Sequence, residues 1–236
     1  MQEWTKIKRT GFLPALLSGA LLGAAIPAVN MAVRSGLYTS LPGSPLQILL
    51  EANWQLTAMI NLLLLSVGAC ILYHIEYEEN AMQKIRSLPV RESCLFFGKL
   101  LILLLMTALI LAIEAFFYSF CAVFWFPEYE ALPCELLTAF GRFYLSMLPA
   151  VSAALTIASV FQNMWISLGT HVLCIFTATM LPGNSSVLAL FPFSLPFQLP
   201  SRQPWSFSFF LIVTVVECTF FLLAELSYLK YRRSFV

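Results

Sequence analysis

Six long apolar stretches decide what this chain can fold into. Each is close to or above the roughly 20 residues that a helix needs to cross the hydrocarbon core of a bilayer. The stretches are 11–33, 54–74, 95–125, 136–161, 164–181 and 205–229. Only 11% of the residues are charged and 60% are hydrophobic, whereas soluble domains have about 25% charged residues. The sequence therefore predicts an all-α integral membrane protein with six transmembrane helices in one domain, 1–236.

Lysine and arginine are divided unevenly between the two sides of this layout. Ten fall on the side that holds both termini and the 75–91 loop, and three fall on the other side. Because cytoplasmic loops carry the excess of positive charge, we expect both termini and this loop to be cytoplasmic. The two groups are Lys6, Lys8, Arg9, Lys84, Arg86, Arg91, Lys99, Lys230, Arg232 and Arg233 against Arg34, Arg142 and Arg202.

Three local features of the spans and outer loops carry further expectations. Within the segment 183–204, residues 191–200 are too apolar for a solvated loop and too rich in proline for a spanning helix. We expect it to be re-entrant or to rest on the headgroups, because irregular backbone at membrane depth must be buried by protein or reached by water. Pro27 and Pro149 should kink their spans unless neighbouring helices satisfy the freed carbonyls. Trp54 is expected at the outer membrane interface.

The polar segment 75–91 separates the second and third apolar stretches. Its apolar positions Ala81, Ile85 and Leu88 recur at helical spacing, which predicts a short amphipathic helix. This helix should end before Pro89, because the residue preceding proline avoids the helical region. Two interpretations stay open: a helix that docks into a soluble partner, or a solvated connector held by salt bridges.

The same segment resembles the first cytoplasmic loop of type-2 ABC exporter permeases. The shared pattern is an acidic cluster, then K-x-R-S-L-P-V, then F-F-G-K-L-L at the start of a long span. The matching positions are Glu76, Glu78, Glu79, Lys84, Ser87, Leu88, Pro89, Val90 and Lys99, with Arg86 in place of a more usual apolar residue. The small size and six-span layout, without a large outer domain or fused ATPase, most resemble the permease subunits of lantibiotic immunity transporters. Bacitracin-type and lipid exporters share this layout.

The resemblance implies a permease of the bacterial plasma membrane rather than an enzyme. Such a permease pairs with a second one, identical or similar, and with two copies of a separate ABC ATP-binding subunit. ATP and Mg would be bound by that partner, since the sequence has no G-x-x-x-x-G-K-[ST] phosphate loop. The substrate would be a lantibiotic or similar antimicrobial peptide. The implied coupling residues are Glu76, Glu78, Glu79, Lys84, Ile85, Arg86, Ser87, Leu88 and Pro89.

Three glutamates, Glu114, Glu217 and Glu225, fall inside apolar stretches. Ionisable groups at bilayer depth are costly and often functional. Glu217 and Glu225 are eight residues apart and should share one helix face. We expect all three to be structural groups facing the bundle, with contact to substrate or to a second permease as the alternatives.

The histidines and cysteines suggest no metal site. His74 and His171 lack a carboxylate at ligand spacing, so polar packing is the expected role of both. The six cysteines contain no C-x-x-C pair and fall mostly in apolar runs, as small packing residues do. A Cys121–Cys134 bridge on the outer side is an open alternative.

Two other functions compete with the permease prediction. The Glu78-Glu79 pair resembles the paired glutamates of CAAX-type intramembrane proteases, with His171 as a partner, but it lies in a polar loop and no F-x-x-x-H motif is present. An ion-driven secondary transporter would use Glu114 and Glu217. The absence of a visible internal repeat in the sequence argues against that class.

Overall fold

The computed structural model describes residues 11–77, 92–126, 132–181, 191–199 and 206–233. These residues form six α-helices and one short 3₁₀ helix. The α-helices are α1 (Phe12–Tyr38), α2 (Pro45–Tyr77), α3 (Glu92–Trp125), α4 (Leu132–Val160), α5 (Met164–Met180) and α6 (Phe207–Arg233), and the 3₁₀ helix is Leu195–Phe197. Each α-helix overlaps one apolar stretch along most of its length, which confirms the all-helical prediction for the described residues.

Five of these helices, α1 to α4 and α6, are long and apolar enough to cross a membrane. Within the described ranges, α5 is also apolar but has only 17 residues. The chain is therefore a multi-pass membrane protein. The sixth crossing and the cytoplasmic position of the termini stay predictions.

Helices α2 and α4 form the centre of the bundle. Helix α2 packs against α1, α3, α4 and α5, and α4 packs against α2, α3, α5 and α6. Small side chains are buried along the middle of α4, including Ala150, Ser152 and Ala154, and small residues let neighbouring helices approach closely. Helix α6 is held mainly by α4 and has only slight contact with α3. It is the most peripheral of the five long helices.

Helix α2 begins nine residues before the apolar stretch that predicted it, at Pro45 instead of Trp54. The Ser44 carbonyl oxygen accepts the backbone N–H of Ile48 at 3.1 Å, and the Gln47 N–H points at Ser44 Oγ at 3.4 Å. Ser44 is thus the N-cap, and Pro45 occupies the first helical position, where proline is favoured. Much of the connection between the first two apolar stretches, residues 34–53, is therefore helix.

Pro27 and Pro149 both lie inside continuous helices, α1 and α4. The irregular position in α1 is instead Arg34, with φ −129° and ψ 28°, one turn before the helix ends. The middle of α1 is buried against α2 and α3 at Gly23, Ala24 and Pro27. The kinks expected at Pro27 and Pro149 stay predictions.

The segment 191–199 folds back against the bundle through the turn at Leu195–Phe197. Trp54 Nε1 donates a hydrogen bond to the Pro196 carbonyl oxygen at 3.0 Å, and the Phe193 ring lies 6.3 Å from the ring of His171. Trp54 is only 4% exposed, so its ring packs inside the bundle; its expected level at the outer interface stays a prediction. A buried indole N–H needs an acceptor, and this segment supplies one. That the segment is re-entrant stays a prediction.

Candidate functional site

Most of the predicted coupling helix falls in residues 78–91, outside the described ranges. Of the nine implied coupling residues, the structure describes Glu76 alone. The others, which keep their predicted role, are Glu78, Glu79, Lys84, Ile85, Arg86, Ser87, Leu88 and Pro89. The structure does describe the two helix ends between which this segment runs, the end of α2 and the start of α3. We call these ends the loop stem.

Glu76 lies in the last turn of α2 and not in the polar loop. Its carboxylate forms an ion pair with Lys99 of α3, and the two residues are 3% and 1% exposed. A charge can be held in a dry interior when it is paired and hydrogen-bonded. The ion pair therefore joins the two helices of the loop stem, and the direct contact of Glu76 with an ATPase stays a prediction.

Two tyrosines of α2 complete the surroundings of this pair. The Lys99 ammonium lies 5.1 Å from the centroid of the Tyr73 ring, within the range of a cation–π interaction. The Tyr77 ring lies 6.3 Å from that of Tyr73, and the Tyr77 hydroxyl donates to the Ser159 carbonyl oxygen at 2.6 Å. The end of α2 is thus bonded to the end of α4 as well as to α3.

Ser159 extends the same network to α6. Its hydroxyl oxygen lies 2.7 Å from Glu225 Oε2 and 2.9 Å from the Thr156 carbonyl oxygen, and its single proton can be donated to either acceptor. Glu225 is completely buried, and its structural role stays a prediction. Four helices therefore meet at the loop stem through one set of polar contacts. We call this set the stem cluster, and its members are Tyr73, Glu76, Tyr77, Lys99, Ser159 and Glu225.

Glu114 occupies a different part of the bundle, at the junction of α1, α2 and α3. Asn61 Nδ2 donates to both of its carboxylate oxygens, at 2.9 and 2.8 Å. A Cβ added to Gly23 of α1 would lie 2.8 Å from Glu114 Oε1, so a larger residue there would force the carboxylate to shift. Glu114 is completely buried within one chain, which favours a structural role over contact with a second permease.

A row of buried polar side chains on α2, which was not predicted from the sequence, leads along the helix to this junction. Asn53, Thr57 and Asn61 recur every four residues and are all buried. Asn53 Oδ1 accepts from Asn30 of α1 at 2.8 Å, and the Thr57 hydroxyl lies 3.1 Å from that of Tyr118 on α3. Side-chain hydrogen bonds of this kind join helices in lipid. The signal in the sequence was the four-residue spacing of polar residues in an apolar run.

Glu217 and Glu225 share the face of α6 that packs on α4, as their spacing predicts. Glu217 is 8% exposed, and neither of its carboxylate oxygens has a hydrogen-bond partner among the described residues. The two glutamates thus differ, since Glu225 is bonded to Ser159 and Glu217 has no such contact.

The sequence profile described as ABC-2 family transporter protein matches residues 1–179. That range covers most of the chain, including α1 to α4, the loop stem and nearly all of α5. The chain belongs to the ABC-2 transporter family. Comparisons with curated proteins and with solved structures give no match.

Membership of the ABC-2 transporter family makes this chain a permease component that works with an ABC ATP-binding subunit. This supports the permease prediction over the protease and ion-driven alternatives. Within the ABC-2 permease, the loop stem is the natural candidate for contact with that subunit, because the residues that resemble the family's coupling loop connect its two helices.

Among the histidines and cysteines of the ABC-2 permease, His171, Cys70 and Cys121 are buried, whereas Cys94 and Cys134 are exposed. His171 is buried, with Nδ1 2.7 Å from the Ser167 carbonyl oxygen and Nε2 3.1 Å from that of Ala154. All six cysteines are free thiols. The alternative of a Cys121–Cys134 bridge is wrong, because both thiols are free: Cys121 of α3 is buried in the core of the bundle, whereas Cys134 is exposed at the start of α4.

Proposed function

We propose that this permease is the membrane subunit of an ATP-driven exporter that expels a lantibiotic or similar antimicrobial peptide. It would pair with a second permease, identical or similar, and with two ATP-binding subunits. The family match carries the transporter part of the proposal. The peptide substrate is inferred from the resemblance to lantibiotic immunity permeases, with a bacitracin-like peptide or a lipid as the alternative.

The stem cluster supports a mechanical role for the loop. The Glu76–Lys99 pair ties α2 to α3, Tyr77 ties α2 to α4, and Ser159 ties α4 to α6 through Glu225. A force applied to residues 78–91 would reach four helices through short, buried contacts. Polar contacts buried at this low exposure resist separation, because breaking a buried pair leaves an uncompensated charge.

In this proposal, nucleotide-driven closure of the ATPase pair moves the loop stems of the two permeases. The helices bonded to each stem move with it, and the peptide is released on the outer side. Glu79, Arg86 and their neighbours would form the surface seated on the ATPase. Glu76 would lie behind that surface, where its ion pair with Lys99 would fix the loop to the bundle.

The test is co-expression of the permease and its ATP-binding subunit in a lantibiotic-sensitive host. We expect ATP-dependent protection and co-purification of the two subunits, and we expect Glu79→Gln with Arg86→Gln to abolish both. The matched control is Arg34→Gln with Glu51→Gln, which removes the same charges from exposed positions at the opposite end of the bundle. Unchanged assembly and protection in the loop variant would remove the coupling role.

A further inference from the structure

A pocket of about 250 Å³ opens at the end of the bundle opposite the loop stem, between the starts of α2 and α4. Leu46 and Leu50 of α2 line it and are buried, and Leu199 of the segment 191–199 adds a third apolar side chain. The proposed transport function makes no use of this pocket. Its apolar wall requires a ligand with a hydrocarbon part.

Two opposite charges line the same pocket. Glu135 and Arg142 both belong to α4 and are seven residues, about 10 Å of helix, apart. Glu135 Oε2 accepts a hydrogen bond from the Ser44 hydroxyl at 2.7 Å, and the Arg142 guanidinium lies 5.3 Å from the centroid of the Phe207 ring. These contacts hold a carboxylate and a guanidinium at fixed places beside the apolar wall.

The position of α4 puts the two charges at headgroup level. Its 29 residues extend about 44 Å, whereas the hydrocarbon core is about 30 Å thick. The first turn, with Glu135, would therefore lie among the headgroups. Arg142 starts deeper, but side chains on a helix point towards its amino terminus, so the guanidinium reaches back towards the same layer.

We propose that this pocket binds a phospholipid with a primary amine, such as phosphatidylethanolamine. The guanidinium matches the phosphate, because its planar set of donors fits phosphate oxygens. The Glu135 carboxylate matches the ammonium, and the start of the acyl chain would lie against the partly exposed Leu199. A cationic peptide would meet the positive charge of Arg142. The volume is also below the roughly 300–1,000 Å³ usual for drug-sized ligands, which suits a headgroup better than a peptide.

The first test uses the unmodified full chain in detergent micelles. Cys134 lines the pocket and is exposed, and Cys94 is exposed at the start of α3, at the other end of the bundle. Added phosphatidylethanolamine should slow maleimide modification of Cys134 and leave the rate at Cys94 unchanged. The concentration for half-protection should be about tenfold lower than for phosphatidylcholine or phosphatidylglycerol, since each lacks one charge-assisted hydrogen bond.

Single substitutions then show which charge binds which part of the lipid headgroup. Glu135→Gln should abolish the preference for phosphatidylethanolamine over phosphatidylcholine, and Arg142→Gln should weaken binding of all three lipids. Glu51→Gln and Arg34→Gln remove matching charges outside the pocket and should change nothing. Ser44→Ala removes a hydrogen bond to Glu135 but keeps the carboxylate, so the preference for phosphatidylethanolamine should remain. This variant shows whether the effect of Glu135→Gln comes from the lost charge or from a disturbed start of α4.

Several outcomes would overturn the proposal. Equal protection by the three lipids would do so, as would equal slowing at Cys94. Stronger protection by a cationic antimicrobial peptide would assign the pocket to peptide binding instead. Equal protection by soluble glycerophosphoethanolamine would show that the apolar wall contributes nothing. None of these results depends on the ATP-binding subunit, so the proposed transport function can fail or hold independently.

Discussion

Replacing Lys99 by methionine tests whether the Glu76–Lys99 ion pair of the loop stem is shielded from water. The substitution keeps an unbranched side chain, shorter by one atom, and removes its charge, which leaves the Glu76 carboxylate buried at 3% exposure without its cation. Breaking a buried pair in this way costs about 3–5 kcal/mol. Loss of the cation–π contact with Tyr73, at 5.1 Å, acts in the same direction. We therefore expect a loss of about 3–5 kcal/mol in the free energy of unfolding.

The partner substitutions complete a double-mutant cycle. Glu76→Met alone should cost a similar amount, because it leaves the ammonium of Lys99 buried without its anion. The double variant should lose less than either single variant, since an apolar pair of similar volume is often neutral or even stabilising. The free energies come from reversible unfolding of the purified chain in mixed micelles with SDS. Arg34→Met, at an exposed position of α1, should stay within about 0.5 kcal/mol of wild type.

The result that would refute this reasoning is a small effect of the single substitution. A loss below about 1 kcal/mol is the range of exposed ion pairs, and it would mean that water reaches the loop stem. A double variant less stable than both single variants would also contradict it. In either case the stem cluster could not transmit force as proposed.

The remaining predictions concern other contacts. Gly23→Ala should destabilise the chain by about 1–3 kcal/mol through overpacking against the buried carboxylate of α3, 2.8 Å from the new Cβ; Gly36→Ala, where nothing lies within 4 Å, should show no loss. Tyr77→Phe removes the donor to the α4 carbonyl oxygen and should cost about 0.5–1.5 kcal/mol in the same unfolding assay. Membrane-impermeant maleimide added to intact cells should label Cys134 and spare Cys94, because we expect the loop stem to be cytoplasmic; the reverse pattern would invert the topology.

Hydrophobic length predicted which parts of the chain are helical but not where the helices begin. Apolar runs mark the part of a helix that lipid surrounds, and α2 continues beyond it through Gln47, Glu51 and Asn53. The start at Pro45 was readable from another pattern, since Ser44-Pro-Leu-Gln47 has the spacing of a capping box. Capping residues depend on local backbone geometry and therefore mark helix ends whether or not a membrane is present.

The candidate site was harder to predict than the fold. Glu76 and Lys99 were both picked out as members of the coupling pattern, but the sequence did not indicate that they pair. Their contact depends on how α2 and α3 cross, which is set by packing along the whole length of both helices. Sequence spacing was sufficient within one helix, as for Glu217 and Glu225 on the common face of α6. It was not sufficient between helices, where Ser159 binds Glu225 from α4.

The shortness of α5 has a consequence for the bilayer around it. Its 17 residues extend about 25 Å, which leaves about 5 Å of a 30 Å hydrocarbon core uncovered. A lone helix of that length would thin the membrane or tilt its neighbours. The segment 191–199 does not change this length, because its Phe193 ring lies beside His171 in the middle of α5 and Phe193 and Leu195 are buried inside the bundle. If α5 crosses the bilayer as predicted, we therefore expect the membrane beside it to be thinner than beside the five longer helices.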